Sequence, residues 1–281
     1  MSNLTLRILF AAIAIPVTFV LLWLNDISRL ALMSFFCGAG AWEWARMASK
    51  MYKGPSMQVV APVTAVALTL AWIFQSGHFF GLAPVPHLVG LVFVCVFAIY
   101  IGIAFSKVSI DHLFPWLMMQ LGAPLYLGLW GGLNIYLLGS GSFSIEHSYK
   151  LVIVMTAMWV CDTMAYFGGR LFGKHKFAPE ISPKKTWEGA ICGTLFAVAW
   201  VMFFAPSVFG LDYARAAILG IVLAISGQVG DLLESTLKRW SGTKDASQIF
   251  PGHGGVLDRA DSFYLSAPTV VLVMYFVNGA I

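Results

Sequence analysis

Charge is scarce in this chain. Only 11% of its 281 residues are Asp, Glu, Lys or Arg, against about 25% in soluble domains, and that shortage excludes water as the main solvent. No linker rich in Pro, Gly or Ser divides the sequence, so nothing argues for separate domains. Cysteine is sparse too. Cys37, Cys95, Cys161 and Cys192 all fall within apolar stretches with no pairing or ligand spacing, and read as small packing residues rather than a disulfide or metal framework. The first apolar stretch ends in Trp23-Leu24-Asn25-Asp26, with no small-residue cleavage site, so it reads as a retained span and not a signal peptide.

Apolar residues fill the rest. They make up 59% of the chain, and mean hydropathy is +0.81. About 20 mostly apolar residues cross a bilayer core as a helix. Nine stretches qualify, near Ile8–Leu24, Leu30–Met47, Met57–Gln75, Leu88–Phe105, Phe114–Leu138, Leu151–Gly168, Gly189–Phe209, Ala214–Gly230 and Ser262–Asn278. The expected fold is all-α, a polytopic transmembrane protein of about nine spans. The fifth stretch holds Pro124 and several glycines and is expected to kink or break. Residues 1–281 form one expected membrane domain, with N-terminal spans over about 1–140 and a catalytic part over about 150–281.

Placement of Lys and Arg tests the count. With the N-terminus inside, all of the 17 except Arg29, Lys150 and Arg215 fall on the cytoplasmic side, as the positive-inside rule asks. A net charge of +4 suits anionic headgroups. Because the basic stretches are confined to short membrane-proximal loops, nucleic acid is excluded as a partner.

The polar chemistry is concentrated in two loops on the cytoplasmic side, at 169–188 and 231–261. The first runs from Gly169-Arg170 through Lys174-His175-Lys176 to Ser182-Pro183-Lys184-Lys185-Thr186-Trp187-Glu188-Gly189. The second runs from Asp231 through Lys238-Arg239 and Lys244-Asp245 to Pro251-Gly252-His253-Gly254-Gly255-Val256-Leu257-Asp258-Arg259-Ala260-Asp261. Lys and Arg bind phosphate oxygens, carboxylates take hard divalent cations, and glycines let backbone N–H groups approach an anion. Asp258 and Asp261 share a helix face if the last helix begins there. With Asp231 at the end of the preceding span, they form a candidate set for one or two cations. The alternative is that these acids pair with Lys238, Arg239 and Arg259 as interfacial ion pairs.

Other ionisable residues are weighed singly. Asp162 lies inside the sixth span, where charge is costly and usually functional; it either faces the site or pairs with a neighbouring helix. Glu43 is expected to pair with Arg46 at i,i+3. His253 contacts a phosphate or base, or exchanges protons. His78, His87, His112, His147 and His175 read as surface or interface residues.

Ser235-Thr236-Leu237-Lys238-Arg239, Lys244-Asp245, His253-Gly254-Gly255 and Asp258-Arg259-Ala260-Asp261 together resemble the signature of the phosphatidate cytidylyltransferase family, also called CDP-diacylglycerol synthases. Ser182-Pro183-Lys184-Lys185-Thr186-x-Glu188-Gly189 resembles a second family segment, and Trp42-Glu43-Trp44-Ala45-Arg46 a third, weaker one. Ala260 departs from the larger apolar residue usual between Arg and Asp. The resemblance implies magnesium-dependent condensation of CTP with phosphatidate in the bilayer, giving CDP-diacylglycerol and pyrophosphate. It also implies a homodimer, and a place in the bacterial inner membrane with the site facing the cytoplasm.

The roles expected on that basis are specific. Asp231, Asp258 and Asp261 hold one or two magnesium ions, and Lys238, Arg239 and Arg259 act beside them in catalysis. Ser182, Lys184, Lys185, Thr186, Glu188, Lys244, Asp245, His253, Gly254, Gly255 and Asp162 line the substrates. A CTP-dependent polyprenol kinase and an ether-lipid cytidylyltransferase share this logic. An anion transporter would instead place its polar groups near the midplane, often in inverted repeats. Enzymes that consume CDP-lipids usually carry D-G-x-x-A-R followed by D-x-x-x-D, and the chain has neither.

Overall fold

A computed structural model describes residues 3–76, 85–130, 132–133, 145–250 and 252–278. His78, Pro251 and the end of the fifth predicted span at Leu138 lie outside the described residues, as does the side chain of His147. Nine α-helices are among the described residues: α1 (Asn3–Leu24), α2 (Asp26–Ala48), α3 (Val60–Ser76), α4 (Leu88–Lys107), α5 (Ile110–Ala123), α6 (Ile145–Phe172), α7 (Trp187–Phe209), α8 (Tyr213–Trp240) and α9 (Leu257–Asn278). A π-helical segment, Pro124–Trp130, continues α5. It starts at the proline where the sequence predicted a break, because Pro has no N–H to continue the α-helical ladder.

The protein is an all-α membrane protein with one small hairpin. Four stretches are long and apolar enough to cross a bilayer: Leu88–Lys107, Tyr149–Phe172, Trp187–Phe209 and Tyr213–Trp240. Leu9–Leu24 and Val60–Gln75 are shorter apolar helices. All four cysteines are free.

The chain divides into two compact units. Met1–Ile135 and Leu237–Ala260 belong to the first, Ser144–Thr236 and the chain from Asp261 onward to the second.

In the first unit α1 passes into α2 through Asn25. Its side chain accepts from Ser28 N at 2.8 Å, while Ser28 Oγ accepts from Asn25 N at 3.2 Å, a reciprocal cap that satisfies two orphan donors. Arg29, one of the three basic residues set outside the cytoplasmic count, is buried and its Nε donates to Leu22 O at 2.5 Å. Trp44 Nε1 donates to Met119 O at 2.8 Å, and a Cβ on Gly122 would sit 2.7 Å from the same indole, so α2 lies close against α5.

In the second unit small residues bring backbones together. A Cβ on Gly193 would lie 2.6 Å from Cys161 O, and one on Gly189 2.6 Å from Ala165 O, so α6 and α7 pack at backbone distance. A Cβ on Gly230 would lie 2.6 Å from Asp261 O, which sets α8 equally close to α9. Between α6 and α7 the chain forms an antiparallel hairpin, β1 (Lys176–Ala178) with β2 (Ser182–Thr186), pairing Lys176 with Thr186 and Ala178 with Ser182.

Candidate functional site

Both polar loops have definite geometry: the first belongs to the second unit, while the second loop has residues 237–260 in the first unit and its ends, from Asp231 to Thr236 and at Asp261, in the second. In the second unit, the Ser182–Thr186 segment is extended, so successive side chains alternate in direction. Lys184 is exposed, whereas Lys185 points inward and places Nζ 2.6 Å from Asp231 Oδ2. The alternation distinguishes two lysines that the sequence left equivalent. Thr186 ends the strand and caps α7, accepting from Gly189 N at 3.2 Å. Glu188, in the first turn of α7, accepts from His175 N at 3.3 Å and meets His175 Nδ1 at 2.6 Å. Capping and this contact hold the hairpin to the helix start, with the carboxylate at the favourable N-terminal end of the dipole.

Asp231 is held on two sides. Besides Lys185 it accepts from Ser235 Oγ at 3.3 Å, one turn further along α8. One turn earlier, Gln228 donates to Thr194 Oγ1 at 3.0 Å and to Ala190 O at 3.3 Å, tying α8 to α7. Asp162, Asp231 and Lys185 share one electrostatic neighbourhood. Asp162 is exposed on its unit. Asp261 stands at the α8–α9 contact, its Oδ1 accepting from Ser262 N at 2.7 Å.

In the first unit the end of α8 is closed by Gly242. Its φ is 67°, with Gly242 N bonding Arg239 O at 3.1 Å and Thr243 N bonding Lys238 O at 2.9 Å, the paired bonds that glycine permits at a helix end. The chain then passes exposed Lys244 and Asp245 to a tight turn bridged between Phe250 and Gly254. The His253 ring lies 4.9 Å from that of Phe10.

Asp258 gathers this loop. Its Oδ1 lies 2.7 Å from Lys238 Nζ, and its Oδ2 accepts from Ala246 N and Gly255 N, each at 2.8 Å. Gly254 has φ 86°, and a Cβ there would lie 2.6 Å from Asp258 Oδ2, so both conformation and space demand glycine. Burial pushes the Asp258 carboxyl up, but the hydrogen bonds from Lys238, Gly255 and Ala246 outweigh it and hold the group below its ordinary value. Arg259, next to Asp258 in sequence, and Arg239, next to Lys238, are exposed.

The three candidate metal ligands therefore divide: Asp258 lies in the first unit, Asp231 and Asp261 in the second. Among the described residues no group of three or more His, Cys, Asp or Glu side chains could hold a metal ion. Magnesium, however, is commonly bound by one or two carboxylates together with substrate phosphates. Asp231, 28% exposed and paired with a lysine that phosphate could draw away, has the donor chemistry for that kind of site.

One expectation is corrected. Glu43 does not pair with Arg46; the Arg46 guanidinium lies 5.5 Å from the centre of the Trp42 ring, and Glu43 binds the second loop instead. Gln228 and Ser247 were also missed. The visible signal for Gln228 is an amide within an apolar helix, whereas Ser247 offers none.

Comparisons with known proteins agree with these motifs. Residues 5–277 match the cytidylyltransferase family. The chain is 32% identical over 279 residues to phosphatidate cytidylyltransferase of Pseudomonas aeruginosa, covering 96% of each protein. It is 31% identical over 257 residues to the Haemophilus influenzae enzyme of that name, covering 85% of this chain and 86% of the relative. Against the Staphylococcus haemolyticus enzyme, identity rises to 44% over 128 residues, 45% of this chain and 49% of that one. The chain belongs to the cytidylyltransferase family and is a nucleotidyltransferase.

Proposed function

We propose that the protein transfers the cytidylyl group of CTP to phosphatidate, forming CDP-diacylglycerol and pyrophosphate for phospholipid synthesis. The observation that carries this reading is the match over 96% of both chains to a phosphatidate cytidylyltransferase, with acidic and basic residues gathered in the two polar loops.

An oxygen of the phosphatidate phosphate attacks the α-phosphorus of CTP in line. The bond to the bridging oxygen of the β-phosphate breaks, and pyrophosphate leaves. The attacking oxygen is already anionic at neutral pH, so no Ser, Cys or general base is required. The chain's task is to position two polyanions and offset their charge. Lys184, Lys185, Lys238, Arg239, Lys244 and Arg259 supply the positive charge, and Lys185 exchanges Asp231 for phosphate as substrate binds. A magnesium ion would supply Lewis-acid charge neutralisation to the phosphates. Asp231, Asp258 and Asp261 are the candidate carboxylates to hold it. Asp162 faces the headgroup region while the acyl tails remain in lipid.

The proposal includes nine spans, a cytoplasmic N-terminus, a homodimer and the bacterial inner membrane. The distribution of Lys and Arg supports the orientation. Purified protein given cytidine-labelled CTP, magnesium and a panel of lipid phosphates should label phosphatidate. Cytidine label in an ether lipid instead would favour the ether-lipid activity, label from γ-phosphorus-labelled CTP in polyprenol would favour the kinase, and substrate flux into proteoliposomes without CTP would favour a transporter.

A further inference from the structure

Glu43 is completely buried near the end of α2, and the donors around it come from more than 200 positions along the chain. Its Oε1 accepts from the Ser247 hydroxyl and from Val256 N at 2.9 Å. Its Oε2 accepts from Leu257 N at 2.7 Å. A Cβ on Gly255 would collide with the same carboxylate. Asp258 binds the two stretches flanking these contacts, at Ala246 N and Gly255 N. Residues 246–247 and 255–257 are thus held by two carboxylates, one borne by the loop and one supplied by α2.

The chemistry suits an anchor. The first N–H groups of a helix lack intrahelical partners, and a negative charge is favoured there. Hydrogen bonds from backbone N–H to a carboxylate are among the stronger kinds, and a buried donor that loses its acceptor carries the full desolvation cost. Val256 N and Leu257 N open α9, and Glu43 satisfies both.

We infer that Glu43 is a positioning residue for nucleotide transfer, which fixes the loop between α8 and α9 so that Lys244, Asp258 and Arg259 are presented to CTP in one arrangement. With no exposed surface, Glu43 touches no substrate and acts through the loop. The inference rests on the reading that this loop meets the nucleotide.

Purified full-length protein tests it. Lys244 is exposed in the loop and is a trypsin site. Glu43→Gln keeps the volume but turns an NH2 toward at least one loop donor. It should speed cleavage after Lys244 by about tenfold or more and raise KM for CTP by a similar factor. A merely destabilised protein would lose active fraction, and so kcat, with KM for CTP unmoved. Ser247→Ala removes one donor and should give a smaller shift in the same direction.

Gly255→Ala should impair the wild type but cost far less in a Glu43→Ala background, where its Cβ meets no carboxylate; such coupling is expected only between contacting sites. If Glu43→Gln does not fold, the Ser247→Ala and Gly255→Ala proteins decide. Wild-type cleavage rates and KM in those variants would overturn the inference. CTP should slow cleavage of the wild type at Lys244. If it does not, while Glu43→Gln is still cleaved faster, the anchor stands but its role in nucleotide binding is overturned.

Discussion

Lys238 Nζ lies 2.7 Å from Asp258 Oδ1, and the two side chains keep only 13% and 6% of their surface exposed. Removing one member of a withdrawn ion pair leaves the other without its counter-charge, at a cost of about 3 kcal/mol. Asp258→Asn should therefore lower the thermal midpoint as well as turnover, and a melting curve in detergent beside a CTP assay checks both effects. Asp258 is a loop anchor in addition to any part it takes in catalysis.

The same pair predicts a pH dependence. The folded Asp258 carboxyl is held below its ordinary value, and the unfolded group titrates near about 3.9. A depressed folded value contributes stability that is fully present above the unfolded value and lost as pH falls through the folded one. The stability difference between wild type and Asp258→Asn should stay constant across neutral pH and shrink once pH drops below about 4. A difference that grows on acidification would contradict the assignment.

How much of this was legible in the sequence depends on distance along the chain. Eight of the nine apolar stretches each fall on one α-helix, and the described part of the fifth falls on α5 and the π-helical segment, because hydropathy is a local signal. The break at Pro124 and the helix start just before Asp258 follow from local rules as well. The hairpin at Lys176–Thr186 escaped notice, since three- and five-residue strands rich in lysine carry little apolar alternation. Glu43 misled for another reason. Helical spacing offered it Arg46, but its partners Ser247, Val256 and Leu257 come from the far end of the sequence, where no periodicity reaches. The choice between Lys184 and Lys185 needed strand geometry, which composition does not encode.

Asp231 and Lys185 meet at 2.6 Å, and the proposed mechanism has Lys185 exchange this partner for phosphate. Asp231→Asn should reduce turnover by about two to three orders of magnitude, the range for losing a charge-stabilising group. Lys185→Met should act chiefly on KM for CTP. Steady-state kinetics with varied CTP separates these effects, and a Lys185→Met enzyme with wild-type KM would remove that residue from substrate binding.

The α8–α9 contact depends on Gly230. A Cβ there would sit 2.6 Å from Asp261 O, a clash with backbone that cannot swing aside. Gly230→Ala should cost about 1–3 kcal/mol and displace Asp261 from its neighbour. Differential scanning fluorimetry should show the lower midpoint, and turnover should fall more than stability alone explains.

Thr186 links the hairpin to α7 by capping it. Thr186→Ala should cost about 1 kcal/mol, as is usual for a lost N-cap, while Thr186→Ser should recover most of it. Equal midpoints for the two variants would show that the hydroxyl contributes nothing.

The position of the transferred phosphorus tests the central claim most directly. Wild-type protein is given phosphatidate, magnesium and CTP labelled with radioactive phosphorus at either the α or the γ position, and the lipid is extracted. Cytidylyl transfer puts the α label into the lipid and sends the γ label into pyrophosphate. Lipid carrying the γ label, with CDP left in solution, would make the enzyme a kinase and contradict the account.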